Sequence, residues 1–149
     1  MANMWDNSGG SPFELLDARA LGRALGDIPG DEVAMRRARG ELFAVSVQSQ
    51  GVDRLYPAFQ AWSGINGAPL RQVLQALGPE VDDAGALIFF MTRSEDSGHL
   101  TPVEVLRGHA GPGAGTLSKD AEAILAMPHK RRLAGVEAMA RAFSSQSAA

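Results

Sequence analysis

Apolar residues recur at helical spacing over most of the chain, interrupted by one short β-like stretch. Phe13, Leu16, Ala20, Leu21 and Leu25 recur at helical spacing and predict a first helix. Ser11, Pro12 and Glu14 supply a capping box with proline at the first helical position. Gly26 is its expected stop, because glycine takes the left-handed backbone of a helix end without a Cβ clash. Asp27-Ile28-Pro29-Gly30 reads as a turn, and a second helix is expected over 31–39, ended by Gly40. The run Leu42–Val47 is short, apolar and β-branched at two positions, so it predicts a strand. Residues 48–53 read as a hairpin loop. Arg54-Leu55-Tyr56 returns as the second strand, closed by Pro57, which lacks a ladder donor.

Helical spacing then resumes. Leu70, Val73, Leu74 and Leu77 form one stripe, broken at Gly78-Pro79. Residues 84–92 are apolar nearly all round, which predicts a buried helix; a short buried strand is the competing reading. Thr101-Pro102-Val103-Glu104 repeats the capping logic of Ser11–Glu14 and opens a short helix to Arg107, stopped by Gly108. Gly111, Pro112, Gly113 and Gly115 mark 109–115 as a flexible link. Ser118 caps a last helix carrying Ala121, Ile124 and Leu125, and Pro128 should kink or split it. Its second part holds Leu133, Val136, Met139 and Phe143, and 144–149 read as a tail. The expected fold is mainly α with a small β-hairpin. Residues 1–10 form a frayed arm with an exposed Trp5, and 11–60 a helix–turn–helix-like part. A small helical domain covers 61–109, and a linker with a C-terminal helical extension covers 110–149.

Composition narrows the function. Of 149 residues, 45% are hydrophobic and 21% charged, which excludes disorder over the whole chain. Cysteine is absent, so disulfides, thiolate metal sites and cysteine nucleophiles are excluded. A net charge of −3 argues against a generally basic nucleic-acid coat, though not against a local basic face. No apolar run approaches the roughly 20 residues of a membrane span, and the first ten residues lack the basic and apolar parts of a signal peptide. A cytoplasmic protein with no membrane contact is expected.

Signs of catalysis are missing. His99, His109 and His129 show no helical pairing that would suit zinc. Neither a nucleophile elbow nor a P-loop occurs, and the Gly111–Gly115 run lacks the strand and the Gly-Lys-Ser/Thr that a phosphate loop needs. Asp31-Glu32 and Asp82-Asp83 sit at helix starts, where the helix dipole explains them. No enzyme, cofactor or metal is expected.

Two basic groups carry the binding hypotheses. Arg36, Arg37 and Arg39 lie on the second helix of a helix–turn–helix followed by a hairpin, the arrangement of a winged helix–turn–helix. They are the candidate DNA-binding residues, because arginine reads guanine and clamps phosphate. The competing reading is a solvated face on which Asp31 and Glu32 pair with these arginines. Lys130-Arg131-Arg132 is a second basic run, either a solvated surface or a contact to a charged partner.

Arg54-Leu55-Tyr56-Pro57-Ala58-Phe59-Gln60 resembles the linking signature of Xre/MbcA/ParS-type antitoxins. Leu70–Leu77 resembles that family's next helix, Ala86–Met91 the buried helix after it, and Leu100–Gly108 its Thr-Pro-x-Glu-x-Leu ending. Arg37–Leu42 is similar to the segment after a recognition helix in MerR-like regulators. The resemblance covers 16–108. It implies a type II antitoxin whose C-terminal part binds a RES-domain toxin over its NAD site and whose N-terminal part represses its own operon. The alternative is a stand-alone DNA-binding regulator. The extension past Gly108 is expected to reach away from the core and inhibit the toxin. Lys130, Arg131, Arg132, Leu133, Val136 and Met139 are the candidate toxin-binding residues. Truncation after Gly115 should then spare the fold. The apolar stripe through Leu133, Val136, Met139 and Phe143 would also serve a homodimer.

Overall fold

The computed structural model describes residues 11–47 and 52–148. The expected hairpin loop lies largely outside these residues, and so does the N-terminal arm with Trp5. Among the described residues the chain is mainly helical, with seven α-helices and one small three-stranded antiparallel sheet. It divides into two compact units, 1–75 and 76–149.

The first unit opens on a turn rather than a helix. Ser11 accepts the Phe13 N–H through Oγ and the Glu14 N–H through its carbonyl, each at 3.1 Å. Leu15–Leu16 form strand β1. The Ser11 capping box therefore does not form, and α1 spans only Ala18–Ala24. Its N-cap is Asp17, whose carboxylate accepts the Ala20 N–H at 2.8 Å. β1 pairs with the edge of β3 (Val52–Pro57), Leu15 opposite Pro57 and Leu16 opposite Tyr56. Pro57 donates nothing, and the ladder continues through the Ala58 N–H to Glu14 O at 2.9 Å.

Helix α2 spans Gly30–Ala38, and β2 spans Val45–Val47, shorter than the apolar run suggested. β2 pairs antiparallel with β3, which puts β3 in the centre of the sheet (order β1-β3-β2). Gly22 explains the tight packing of α1 against the turn to α2. A Cβ there would strike the Ile28 carbonyl, and the Ile28 N–H bonds Gly22 O at 3.0 Å. A short 3-10 turn, Ala58–Ala61, follows β3, and α3 spans Ala68–Leu77. Phe43, Phe59 and Trp62 pack as a tilted aromatic series with centroids 6.0 and 6.4 Å apart. Buried Gln60 stitches that packing together. Its Oε1 accepts the Phe43 N–H at 2.8 Å, and its Nε2 donates to Phe43 O at 2.9 Å and Pro57 O at 3.2 Å.

The second unit is helical. Helix α4 spans Asp83–Met91, with Asp82 accepting the Gly85 N–H at 2.8 Å as N-cap. The apolar run at 84–92 is thus helical. Its burial is one-sided, with Ala86, Phe89 and Phe90 inside and Ile88 exposed. Helix α5, Pro102–Arg107, carries the predicted capping box, with Thr101 and Glu104 bonded reciprocally at 3.0 and 3.1 Å. Gly108 closes it at φ 90°.

The segment expected as a free link is tied down. Gly111 N–H donates to Glu104 Oε2 at 2.7 Å, and Pro112–Ala114 form a 3-10 turn. Helix α6, Lys119–Ala126, is capped by Ser118 as expected. Pro128 splits it from α7, which runs over His129–Ala148 and takes up the residues expected as a tail. Both helices belong to the same unit as α4 and α5. Ala121, Val136 and Ala140 are wholly buried.

Candidate functional site

The arginines of α2 engage acidic neighbours. Arg36 Nε lies 3.1 Å from Glu32 Oε2, one helical turn away. Arg39 reaches Glu32 at 3.4 Å and Glu41 at 3.1 Å. Arg37 is half-buried. The outward residues of α2 and its end are Asp31, Ala34, Met35, Ala38 and Arg39, a face mostly small, apolar or acidic. Of the two acids named in the competing reading, Glu32 pairs with Arg36 and Arg39, and Glu41 adds a second carboxylate at Arg39.

The candidate toxin-binding residues separate into two groups. Arg132 points into its own unit. Its guanidinium donates to Val105 O at 2.7 Å, Leu106 O at 2.9 Å and Met127 O at 3.0 Å. It thereby satisfies carbonyls at the C-terminal end of α5, where a cation is also favoured by the helix dipole. Burial pushes its pKa below the usual arginine value. Gly108 makes room for it, since a Cβ there would sit 2.9 Å from an Arg132 nitrogen. Val136 is wholly buried. These two are structural residues, a correction forced by how α7 packs on α5. Lys130 and Arg131 remain exposed, and Leu133 and Met139 are half-buried. Phe143, part of the stripe offered for a homodimer, packs edge-on against Phe89 at 5.5 Å.

The same unit holds a charged hub that the sequence did not announce. Glu104 is only 5% exposed. Arg93 donates to both its carboxylate oxygens, at 2.7 and 3.1 Å, and to His99 O at 3.0 Å. Burial works against the charge on Glu104. The Arg93 guanidinium and the N–H groups of Thr101 and Gly111 outweigh it and hold the carboxyl below its ordinary value. The capping pattern predicted one of these bonds; the remaining partners come from residues distant in sequence.

Next to this hub lies a recess of about 260 Å³. Phe89, Pro102, Met139 and Phe143 give it apolar walls, and Thr92, Arg93, Ser94, Asp96 and Gln146 line its polar parts. Among the described residues no cluster of three His, Asp or Glu could hold a metal ion. None of the described helices is long and apolar enough to cross a membrane. The buried polar side chains Gln60, Ser97, Thr101 and Glu104 all make hydrogen bonds within the fold. Comparison with family models, curated proteins and solved structures finds no match.

Proposed function

We propose that the protein is a type II antitoxin that binds and neutralises a RES-domain toxin by covering its NAD site. The reading rests on the resemblance of 54–60 and 100–108 to Xre/MbcA/ParS-type antitoxins. One observation carries it furthest: the motif residues are spent on building the fold. Gln60 bonds the Phe43 backbone, and Thr101 and Glu104 cap α5. Buried in this way, these residues shape the scaffold from which a partner surface would be presented.

The surface offered to the toxin is the exposed side of α7, including Lys130, Arg131 and Arg141. A cleft that takes the anionic pyrophosphate of NAD is itself partly basic, so these residues meet acidic groups beside the cleft rather than entering it. The test is purification with a RES-domain toxin and an assay of NAD consumption. A stable complex with the toxin's NAD consumption suppressed is expected. Unchanged consumption at excess protein would reject the reading. Lys130→Glu with Arg131→Glu should slow association and alter its salt dependence more than it changes final affinity.

Autorepression is the second part of the proposal and rests on Arg36, Arg37 and Arg39. Because Glu32 and Glu41 hold two of these arginines, DNA phosphates would have to displace carboxylates. Arg36→Ala with Arg39→Ala should weaken operator binding in a gel shift. The salt dependence should flatten as well, by about 0.9 in log–log slope for each phosphate no longer neutralised. Unchanged binding would remove these residues from the interface.

A further inference from the structure

The loop from Arg93 to His99 closes on itself beside the recess of the second unit. Ser94 O accepts the N–H groups of Ser97 at 3.1 Å and His99 at 2.8 Å, and Arg93 Nη1 donates to His99 O at 3.0 Å. The loop thereby holds two oppositely charged residues, Arg93 and Asp96, and both line the recess. A guanidinium carries five N–H donors in one plane. Nη1 spends both of its own on His99 O and Glu104 Oε1, and Nη2 spends one on Glu104 Oε2. Nε–H and the second Nη2–H have no acceptor among the described residues. These two run parallel along one edge, a geometry that takes a carboxylate bidentately. The Arg93 side chain is 33% exposed. Gly113 leaves Nη2 uncrowded, since a Cβ there would stand 3.2 Å from it. Asp96 is exposed and forms no ion pair among the described residues.

Charge selects the occupant. Glu104 already neutralises Arg93, so with Asp96 the site is negative overall and disfavours a plain anion. A molecule that brings an ammonium to Asp96 together with a carboxylate to the free edge of Arg93 satisfies both. Phe89, Pro102, Met139 and Phe143 call for an apolar body between them. At about 260 Å³, the recess falls just below the ~300–1,000 Å³ common for drug-sized ligands and suits a smaller molecule. We propose that the recess binds a zwitterion, a free α-amino acid with a large apolar side chain. Its carboxylate accepts from Nε and Nη2 of Arg93, its ammonium donates to Asp96, and its side chain lies against Phe89 and Phe143. This site does not rest on the antitoxin reading.

Titration of the isotope-labelled full chain with L-phenylalanine, followed by amide NMR, tests it. The Arg93 Nε–H signal and the backbone amides of Thr92 and Asp96 should shift along one saturating curve. Phenylacetate lacks the ammonium and phenethylamine lacks the carboxylate. Each should bind about tenfold more weakly than L-phenylalanine. Asp96→Asn should weaken L-phenylalanine about tenfold and leave phenylacetate no weaker than before. Ala142→Trp fills the recess and should block L-phenylalanine. Both positions are exposed, and the signals remote from the recess report whether the fold is intact. No shift at millimolar L-phenylalanine overturns the proposal. So does phenethylamine binding as tightly as L-phenylalanine, which would leave Arg93 out of the site. Affinity unchanged in Asp96→Asn, or shifts that survive Ala142→Trp, overturn it as well.

Discussion

The two compact units solve the same problem with different chemistry. Each must bury backbone polar groups where segments of the chain converge. The first unit uses a neutral amide: Gln60 gives and takes hydrogen bonds at the Phe43 backbone and adds one at Pro57. The second uses charges. Glu104 gathers Arg93, Thr101 and Gly111, and Arg132 gathers three carbonyls. A neutral amide bridges backbone without a response to pH. A buried charge makes stronger bonds but ties stability to its protonation state. Glu104 ties in the 109–115 segment through Gly111, and Arg132 ties α7 to α5.

The strongest way to break this contrast is to remove what the charges recruit. Truncation after Gly115 deletes Arg132 and the buried Ala121, Val136 and Ala140. We expect the second unit to lose cooperative unfolding, a loss of at least ~5 kcal/mol, while amides of the first unit keep their protection in hydrogen exchange. A truncated chain with an intact second unit would restore the independent extension that the Gly/Pro-rich spacing suggests. Next in size, Arg132→Met should cost roughly 2–4 kcal/mol, because Val105, Leu106 and Met127 lose a charged donor together. Denaturant unfolding measures this loss. Gln60→Leu should cost about 2–3 kcal/mol in the first unit, with the same loss at neutral and mildly acidic pH.

The smallest effect sharpens the comparison. Glu104 has a lowered pKa when folded. Its contribution is therefore fully present above its unfolded value and fades as pH falls through the lower, folded one. Glu104→Gln should cost about 1–2 kcal/mol at neutral pH and flatten the acid limb of the stability profile. An acid limb as steep as in the parent protein would mean that other carboxylates carry it.

Legibility in the sequence followed the range of the interaction. Local signals read well. Thr101 to Glu104 gave the capping box, Ser118 the cap of α6, Gly108 a helix stop and Pro128 the break before α7. Ser11 to Glu14 carried the same signal and did not form a helix, because Leu15 and Leu16 complete the edge of β3 and Asp17 takes over the cap. A propensity of local origin lost there to pairing with a strand some forty residues away in the chain. The candidate site was the least legible. Lys130, Arg131 and Arg132 are equivalent as a basic run, yet only Arg132 turns inward. Two of its three acceptors are at 105 and 106, far from it in sequence, and only Met127 O is local. Likewise Arg93 has no local pattern to mark it as the partner of Glu104.

The Arg132 clamp also orders events in time. Its acceptors on α5 lie 26 and 27 residues earlier in the chain. At synthesis rates of about 5–20 residues per second, roughly 1–5 s separate the making of α5 from the making of its clamp. During that interval the apolar side chains of α5 have neither α7 nor the guanidinium over them. An intermediate caught between these two events would therefore expose Val103, Val105 and Leu106, which are buried in the finished unit.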